Sequence, residues 1–297
     1  MLLALAAAPA AAATLTVEGV VSPAWVERGG LRLPLAVGMT LRDKDRIRTG
    51  PGSRALLRMA EGSAVKLGEN AALTVDDLHE QPGLRMRRLV RASLDVARGA
   101  FRFTTDVFIR RPAERDVKIR ITTITAGIRG TDVWGKSEGE RDIVCLVEGR
   151  IAVSHPQTGE FTMAEPLSFF IAPRKAKPLP VAPVDRRQLE QWANETEMKP
   201  GSGGARRGGR FRVEAASAPD QRGALATYDR LREAGYPAVI APVAKEGAVE
   251  YRVRIVGLAS ERDARAVAEQ LKALGVTEAA VGTQDPPRES GTSNSRR

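Results

Sequence analysis

Arginine recurs at alternate positions in two short segments near the C-terminal end of the chain. One segment reads Arg210-Phe211-Arg212-Val213-Glu214-Ala215, and the other reads Tyr251-Arg252-Val253-Arg254-Ile255. Residues two apart point to the same face of a β-strand. Strand formation therefore puts the arginines on one face and the apolar side chains on the other. Arginine binds carboxylates through two parallel hydrogen bonds, so this face suits an anionic ligand.

The candidate binding residues are Arg210, Arg212, Glu214, Arg252 and Arg254. A structural alternative accounts for the same pattern. In this alternative the arginines only keep an open sheet soluble and pair with Glu214 or Glu250. Both interpretations place the arginines on the solvent side of a sheet.

No catalytic constellation stands out among the remaining polar residues. The single cysteine, Cys145, lies in an apolar run typical of a buried strand, so we expect a small core residue. His79 and His155 have no metal-ligand or triad-like spacing, and no carboxylate pair sits in a motif for glycoside hydrolysis. We therefore predict a protein that is not an enzyme and has neither a metal nor a cofactor.

The net charge of +10 is unevenly distributed. Residues 85–120 hold 11 basic and 4 acidic side chains, whereas residues 210–283 hold 11 and 10. A local basic patch attracts polyanions or anionic membrane surfaces. The alternative is a solvated strand face that keeps the protein soluble, and the composition leaves both open.

The N-terminus carries an apolar run, Leu2–Ala13, that is shorter than the roughly 20 residues of a membrane span. It ends in small residues that fit an A-x-A cleavage site before Thr14. Residues 1–13 are therefore predicted to be a signal peptide, although no Lys or Arg precedes the run. The alternative is an uncleaved alanine-rich helix. A cleaved leader predicts a periplasmic protein, peripheral to the membrane at most.

Residues 14–173 show short alternating apolar runs separated by turn signals, which predict an all-β domain. The predicted strands are Thr14–Val21, Arg54–Met59, Ala64–Leu67, Ala71–Val75, Val117–Ile124, Asp142–Val147 and Ile151–Ser154.

Residues 174–209 are rich in proline, glycine and arginine and are predicted to be a linker. Asp185–Glu197 can form one short helix whose Leu189 and Trp192 dock on a domain. The run Gly201-Ser202-Gly203-Gly204 is expected to be a flexible hinge.

Residues 210–283 contain an internal repeat with the order βαβ–βαβ, which predicts an α+β, ferredoxin-like domain. Its helices are expected at Gln221–Ala234 and Ser260–Leu274, each closed by a glycine, Gly235 or Gly275. Residues 284–297 are predicted to be a disordered tail. The fold class is thus multidomain, with an all-β part followed by an α+β part.

The first domain resembles the FecR family through an ordered series of motifs. These are a "G-x-x-L-x-x-x-D-x-I-x-T" opening at Gly38–Thr49, an "RGT" turn at Arg129-Gly130-Thr131 and a closing hairpin at Val147–Val153. The resemblance implies a periplasmic β-rich interaction or sensing module. Some members relay a ferric-siderophore signal to a sigma factor through a membrane helix, and this sequence predicts no such helix. Regulation of the ferric-citrate type is therefore the alternative function. In the turn, Gly130 permits an unusual backbone angle and Arg129 is expected to pin a carboxylate; a ligand site is the alternative.

The second domain resembles SPOR domains through its two arginine-bearing strands. Glu214 stands where the family commonly has Gln, Ala216 replaces Gly, and Val256-Gly257-Leu258 replaces a Gly-Pro-Phe stretch. The resemblance implies binding to septal peptidoglycan, at glycan strands stripped of their stem peptides. Each stripped muramic acid carries a free lactyl carboxylate, which suits an arginine face.

The predicted partners are therefore peptidoglycan glycan strands, with room for an envelope protein that binds the FecR-like domain. RNA-recognition domains share the βαββαβ order but stack bases on exposed aromatic side chains. Here Phe211 and Tyr251 are expected to point inward, so we predict no nucleic-acid partner.

Overall fold

The computed structural model describes residues 14–82, 88–105, 114–128, 130–245 and 247–284. The predicted leader, and the predicted tail beyond residue 284, lie outside these residues. The described part is mostly β-strand, with three short helices. None of those helices has the length and apolarity needed to cross a membrane.

The elements are numbered in chain order. The strands are β1 (Leu15–Val21), β2 (Ala24–Arg28), β3 (Leu31–Pro34), β4 (Thr40–Leu41), β5 (Arg46–Thr49), β6 (Arg54–Met59), β7 (Ala64–Leu67), β8 (Ala72–Pro82), β9 (Arg88–Thr104), β10 (Glu114–Ile121), β11 (Ile124–Ile128), β12 (Asp132–Ser137), β13 (Arg141–Glu148), β14 (Ile151–His155), β15 (Gly159–Met163), β16 (Ser168–Pro173), β17 (Ala182–Pro183), β18 (Gly204–Arg206), β19 (Phe211–Ala218), β20 (Ala238–Lys245), β21 (Ala248–Leu258) and β22 (Ala280–Thr283). The helices are α1 (Arg186–Thr196), α2 (Gln221–Glu233) and α3 (Glu261–Lys272).

Two sheets form the N-terminal part. The first has the strand order β18–β1–β6–β7–β9–β12–β13–β16–β17, and the second has the order β3–β2–β5–β8–β9–β10–β11–β14–β15. All these pairs are antiparallel except β9 with β10. The long strand β9 belongs to both sheets and thereby joins them.

The strand β9 changes sheets at a glycine. Its residues up to Arg98 pair with β8, and its residues from Gly99 onward pair with β12. Gly99 has φ +84°, and a Cβ there would lie 2.5 Å from Cα of Ala71. Only glycine accepts both the backbone angle and this close approach. The bend therefore fixes how the two sheets meet.

Strand alternation supplies the core. In β6, Ala55, Leu57 and Met59 are buried, while the residues between them are half-buried. Phe101 and Phe103 of β9 are fully buried in the same cluster. The rest of that cluster is largely Val, Leu, Ile and Ala, because aromatic residues make up only 4% of the chain.

One predicted strand was wrong. The sequence suggested a single strand over Val117–Ile124, but the chain reverses at Thr122 and Thr123 and forms the hairpin β10–β11. Thr122 has φ 44°, and Thr123 donates its N–H and its hydroxyl to the fully buried Asp142. A carboxylate from a later strand holds this turn, so the local pattern of apolar residues does not reveal it.

The C-terminal part runs β19–α2–β20–β21–α3–β22, and its strands lie in the order β22–β19–β21–β20. Asp220 caps α2 and Ser260 caps α3. Each side chain accepts a hydrogen bond from a backbone N–H of the first helical turn. Gly235 and Gly275 follow α2 and α3 with φ of 85° and 76°. These left-handed glycines end the helices where the sequence predicts.

The linker helix α1 docks on the outer face of the first sheet. The rings of Trp192 and Trp134 stack with centroids 4.6 Å apart and planes 8° apart. Leu189 and Cys145 belong to the same small apolar cluster, which is separate from the main core. The predicted docking of Leu189 and Trp192 is therefore confirmed.

The predicted hinge was wrong. Gly204–Arg206 forms β18, which pairs with β1 of the N-terminal part and, through Ala205, with Leu258 of β21. Oδ1 of the buried Asp263 accepts hydrogen bonds from the backbone N–H groups of Gly201, Gly203 and Gly204, at 2.9, 3.1 and 3.0 Å. The glycines give the loop the freedom to wrap around this carboxylate, so the order comes from a residue about sixty positions away.

A second contact joins the two parts of the chain. The backbone N–H of Ala24 donates to the carbonyl of Gly235 at 3.1 Å, and the indole of Trp25 donates to the carbonyl of Glu233 at 3.2 Å. A Cβ at Gly235 would lie 2.6 Å from the indole ring. Gly235 therefore ends α2 and also admits Trp25 against it.

We expect Trp192→Ala to lower the free energy of unfolding by about 3 kcal/mol, because it leaves a cavity beside Trp134. Denaturant unfolding followed by circular dichroism measures this change. The control is Gln191→Ala, an exposed position on the same helix, which should leave stability nearly unchanged. Equal stability of the two variants would mean that α1 does not dock on the sheet.

We expect Cys145 to resist thiol reagents in the folded protein. Burial, together with the nearby charge of Asp132, raises the pKa of its thiol from 9.0 to about 12, so little thiolate forms at pH 8. The buried thiol contributes stability that is complete below pH 9 and is lost as pH rises toward 12. Iodoacetamide labelling at pH 8 should be slow in the native protein and fast in urea; rapid native labelling would contradict the burial.

We expect Asp263→Ala to cost about 3 kcal/mol, because three backbone N–H groups lose a charged acceptor. Hydrogen exchange should speed up at residues 201–206 in particular. Glu261→Ala, an exposed position in the same helical turn, is the control. Unchanged protection of residues 201–206 in the Asp263 variant would show that this carboxylate does not hold the linker.

Candidate binding face of the C-terminal domain

The predicted site residues lie on two adjacent strands, β19 and β21. Val213, Val253 and Ile255 are buried on the helix side of the sheet. Alternation therefore sends Arg212, Glu214, Arg252 and Arg254 to the opposite side; these four residues are called the arginine face below. Arg210 is exposed and lies just before β19, where its carbonyl accepts from the N–H of Gln284.

A bulge in β19 sets the pairing across the arginine face. Glu214 lies opposite Arg254, but the register then shifts by one residue, so that Ser217 lies opposite Arg252. The extra residue, Ala215, stays on the buried side. Glu214 is consequently placed between two arginines of the neighbouring strand.

Glu214 and Glu250 tie two of the arginines into an ion-pair network. Glu214 lies 3.2 Å from Nη1 of Arg252 and 3.4 Å from Nε of Arg254. Arg252 also reaches Glu250 at 2.8 Å. The hydrogen bond to Glu250, helped by the charge of Glu214, raises the pKa of Arg252 above its ordinary value. Arg252 and Arg254 therefore pair with glutamates of the same sheet, as the structural alternative in the sequence analysis predicted.

Arg212 differs from these two arginines. It has no ion-pair partner among the residues that the structure describes, and the same holds for Arg210. Its guanidinium lies across Gly282 of β22, where a Cβ would come within 3.6 Å of its Cζ. Sequence reasoning missed Gly282, although a glycine in a strand commonly marks a close approach. Arg212 is thus the cation of this face most open to a new anion.

Small residues surround the charged centre. Arg212 lies opposite Gly282, Glu214 opposite Ala280, and Arg252 opposite Ala241. Such short side chains leave room on this face of the sheet for an extended molecule. The result is a shallow, charged surface rather than an enclosed pocket.

The basic segment 85–120 is largely neutralised where the structure describes it. Arg91 pairs with Asp116, Arg102 with Asp132, and Arg120 with Asp95. The bidentate pair of Arg102, at 2.9 and 2.6 Å, raises the pKa of that guanidinium. These pairs favour a solvated strand face for the described part of the segment.

The histidines fall in two different settings. His155 is buried at the end of β14, where Nδ1 accepts from the N–H of Gln157 at 3.2 Å. His79 lies 2.6 Å from Asp77, and Asp43 brings a second carboxylate within 4.8 Å. Sequence spacing missed this cluster because Asp43 comes from a distant turn. Its residues are exposed or half-buried, and we assign no metal to it.

The residues of the FecR-like opening motif hold the fold together. Asp45 is buried and accepts a bidentate pair from Arg28 and the backbone N–H of Arg42. This bond raises the pKa of Arg28. The hydroxyl of Thr49 donates to the carbonyl of Gly68 and accepts from the N–H of Ala71. Asp45 and Thr49 of the "D-x-I-x-T" pattern thus stabilise the fold through their hydrogen bonds, and Ile47 is buried in the core.

The RGT turn is described only in part. Gly130 has φ +86°, as its predicted role requires. Arg129 lies outside the described residues, and the nearby Asp132 is held by Arg102. Thr131 precedes β12 and donates its N–H to the hydroxyl of Thr105 at 3.2 Å.

Two protein families match separate parts of this chain. The FecR protein family matches residues 45–152, and the SPOR domain family matches residues 208–282. No curated protein matches the chain. Two crystal structures of a candidate anti-sigma factor from Parabacteroides distasonis are similar at 13% identity. One covers 77% of this chain and 91% of its own, with a TM-score of 0.38; the other covers 81% and 98%, with a TM-score of 0.39.

The two family matches occur in the order that the motifs predict, so the recognition of both from the sequence is confirmed. The protein is a chain with a FecR domain followed by a SPOR domain.

Proposed function

We propose that this protein is a non-enzymatic component of the bacterial cell envelope that binds denuded glycan strands of peptidoglycan through the arginine face. In this proposal the FecR domain is a periplasmic interaction or sensing module. The observation that carries the proposal is Arg212, which pairs with no carboxylate in the described part of the chain, beside a preformed Arg252–Glu214–Arg254 network on a SPOR domain.

We further propose that the C-terminal domain is ferredoxin-like. The strand order β22–β19–β21–β20, with helices between β19 and β20 and between β21 and β22, supports this assignment. Both helices pack against the face that carries Val213 and Val253. The other face is then free to receive an extended ligand.

The chemistry of a denuded glycan suits this face. Each muramic acid without its stem peptide presents a carboxylate, so the polymer is a regular array of anions. The three arginines of the face and the adjacent Arg210 carry four positive charges. Glu214 and Glu250 carry two negative charges, so the net charge of this region is positive. The two glutamates orient Arg252 and Arg254, which lowers the conformational entropy that binding would otherwise cost.

Arg212 supplies a donor that no carboxylate of the described residues occupies. A carboxylate can take two parallel hydrogen bonds from it, and the small residues Gly282 and Ala280 leave room for the sugar. We also infer that the protein is periplasmic and concentrates where glycan strands have lost their peptides.

The proposal contains no catalytic step. The thiol of Cys145 is buried with a raised pKa, and His155 is buried at the end of β14. Incubation with isolated sacculi should therefore release no soluble sugar fragments.

We expect Arg212→Ala to weaken binding of the full chain to amidase-treated sacculi about tenfold, since one charge-assisted contact is lost. Co-sedimentation with treated and untreated sacculi measures this. Arg265→Ala, an exposed position on α3 that pairs with Glu261, is the matched control. Arg212 is preferred to Arg252 as the test, because removing Arg252 leaves Glu214 and Glu250 without a shared partner.

Amidase treatment should increase binding of the wild-type chain, and the increase should disappear in the Arg212 variant. Equal binding to both preparations, or equal binding by the Arg212 and Arg265 variants, would reject the arginine face as the glycan site.

A further inference from the structure

The FecR domain has a groove where its two sheets meet. The residues that line this groove are different from those of the arginine face. Its volume is about 790 Å³, within the range of small-molecule sites. The bend of β9 at residues 97–100 forms one wall, and the hairpin at residues 136–139 forms another. Arg54, Arg174 and Glu195 complete the lining together with Glu69 and Asn70.

The groove is built on constrained backbone. Gly99 sits against Ala71 with φ +84°, and Asn70 also has a left-handed backbone, with φ 51°. Gly68 is buried close to Ala100, so that the turn before Glu69 is packed against β9. The shape of the groove is therefore set by the same bend that joins the sheets.

Most charges in the lining are already satisfied. Lys136 pairs with Glu138 at 2.9 Å and with Glu195 at 3.0 Å. These two carboxylates hold the pKa of Lys136 above its ordinary value. Arg174 donates to Ser137 at 2.9 Å and to the buried Asp142 at 3.3 Å.

Two arginines in the lining lack such partners. Arg98 makes no hydrogen bond or ion pair to any residue that the structure describes. Arg54 donates one bond, to the carbonyl of Ser53, while its Nε is buried without an acceptor. Glu69, another carboxylate of the lining, accepts from the N–H of Gly52 at 2.7 Å and forms no ion pair with a residue that the structure describes. The exposed guanidinium of Arg98 and the Nη groups of Arg54 thus keep donors that no described carboxylate takes, which suits an incoming oxyanion.

We propose that this groove binds a small anion, a carboxylate or a phosphate, through Arg54 and Arg98. The inference rests on the FecR domain being the sensing module of the proposed function, and it does not depend on glycan binding. A small molecule fits better than a protein segment, because the cavity is bounded by turns on several sides.

The groove also touches the linker. Glu195 lies on α1, the helix that leads to β18 and the SPOR domain. An anion near Lys136 competes with Glu195 for that cation. The occupant of the groove can thus alter how α1 is held at its C-terminal end.

The test is calorimetric titration of the full chain with succinate and with inorganic phosphate, and succinamide serves as the neutral analogue. We expect succinate or phosphate to bind and succinamide not to bind; the difference between the two anions identifies the oxyanion. The double variant Arg54→Gln, Arg98→Gln should weaken binding at least about tenfold. Arg91→Gln, on the same strand and outside the groove, is the matched control.

Arg98→Glu is a second variant, because this exposed side chain can change without disturbing the core. Its reversed charge should abolish anion binding while leaving co-sedimentation with sacculi unchanged. Equal heats for the anions and succinamide, or unchanged affinity in both groove variants, would overturn the proposal. Anion binding without sacculus binding would reject the glycan function alone.

Discussion

One buried carboxylate determines how the two halves of this molecule meet. Asp263 lies in the first turn of α3, where one of its oxygens accepts from the hydroxyl of Ser260. Its other oxygen accepts from three backbone N–H groups of the glycine-rich linker. That loop leads directly into β18, which continues the first sheet of the FecR domain. The arginine face consequently has a defined direction relative to the FecR domain.

The FecR domain is organised by a comparable constraint at the bend of β9. Because one strand serves both sheets, the crease between them is fixed by Gly99 and Ala71 rather than by a loop. The charged groove lies in that crease. The helix α1 covers the adjacent sheet surface through Trp192 and Trp134, so the groove, the linker and the SPOR domain are in contact one after another.

The sequence predicted those features that depend on local patterns. Strand β6 and strand β7 have the predicted bounds, and the caps at Ser260, Gly235 and Gly275 follow from residue type alone. The inward and outward faces of β19 and β21 also follow from alternation. These predictions succeed because each depends on neighbours within a few residues.

The sequence predictions failed where a residue distant in the chain fixes the local backbone structure. Asp142 creates the turn at Thr123, and Asp263 orders the glycine loop that looked like a hinge. The bulge at Ala215 and the pairing of Glu214 with two arginines require the strand register, which no local pattern provides. Likewise, Arg54 and Arg98 line one groove only because β9 bends beside the start of β6.

The strand β18 has a consequence for how the protein can be divided. It covers one side of β1, where Val20 and Val21 are buried, so its removal leaves the hydrogen-bonding edge of a long sheet exposed. Exposed edges of this kind recruit strands from other molecules and promote aggregation. On the far side of the same sheet, the short β17 lies in a proline-rich stretch, which discourages such pairing. A cut before Gly204 would therefore expose this edge, since Gly204–Arg206, just before the SPOR match, protect the sheet of the preceding domain.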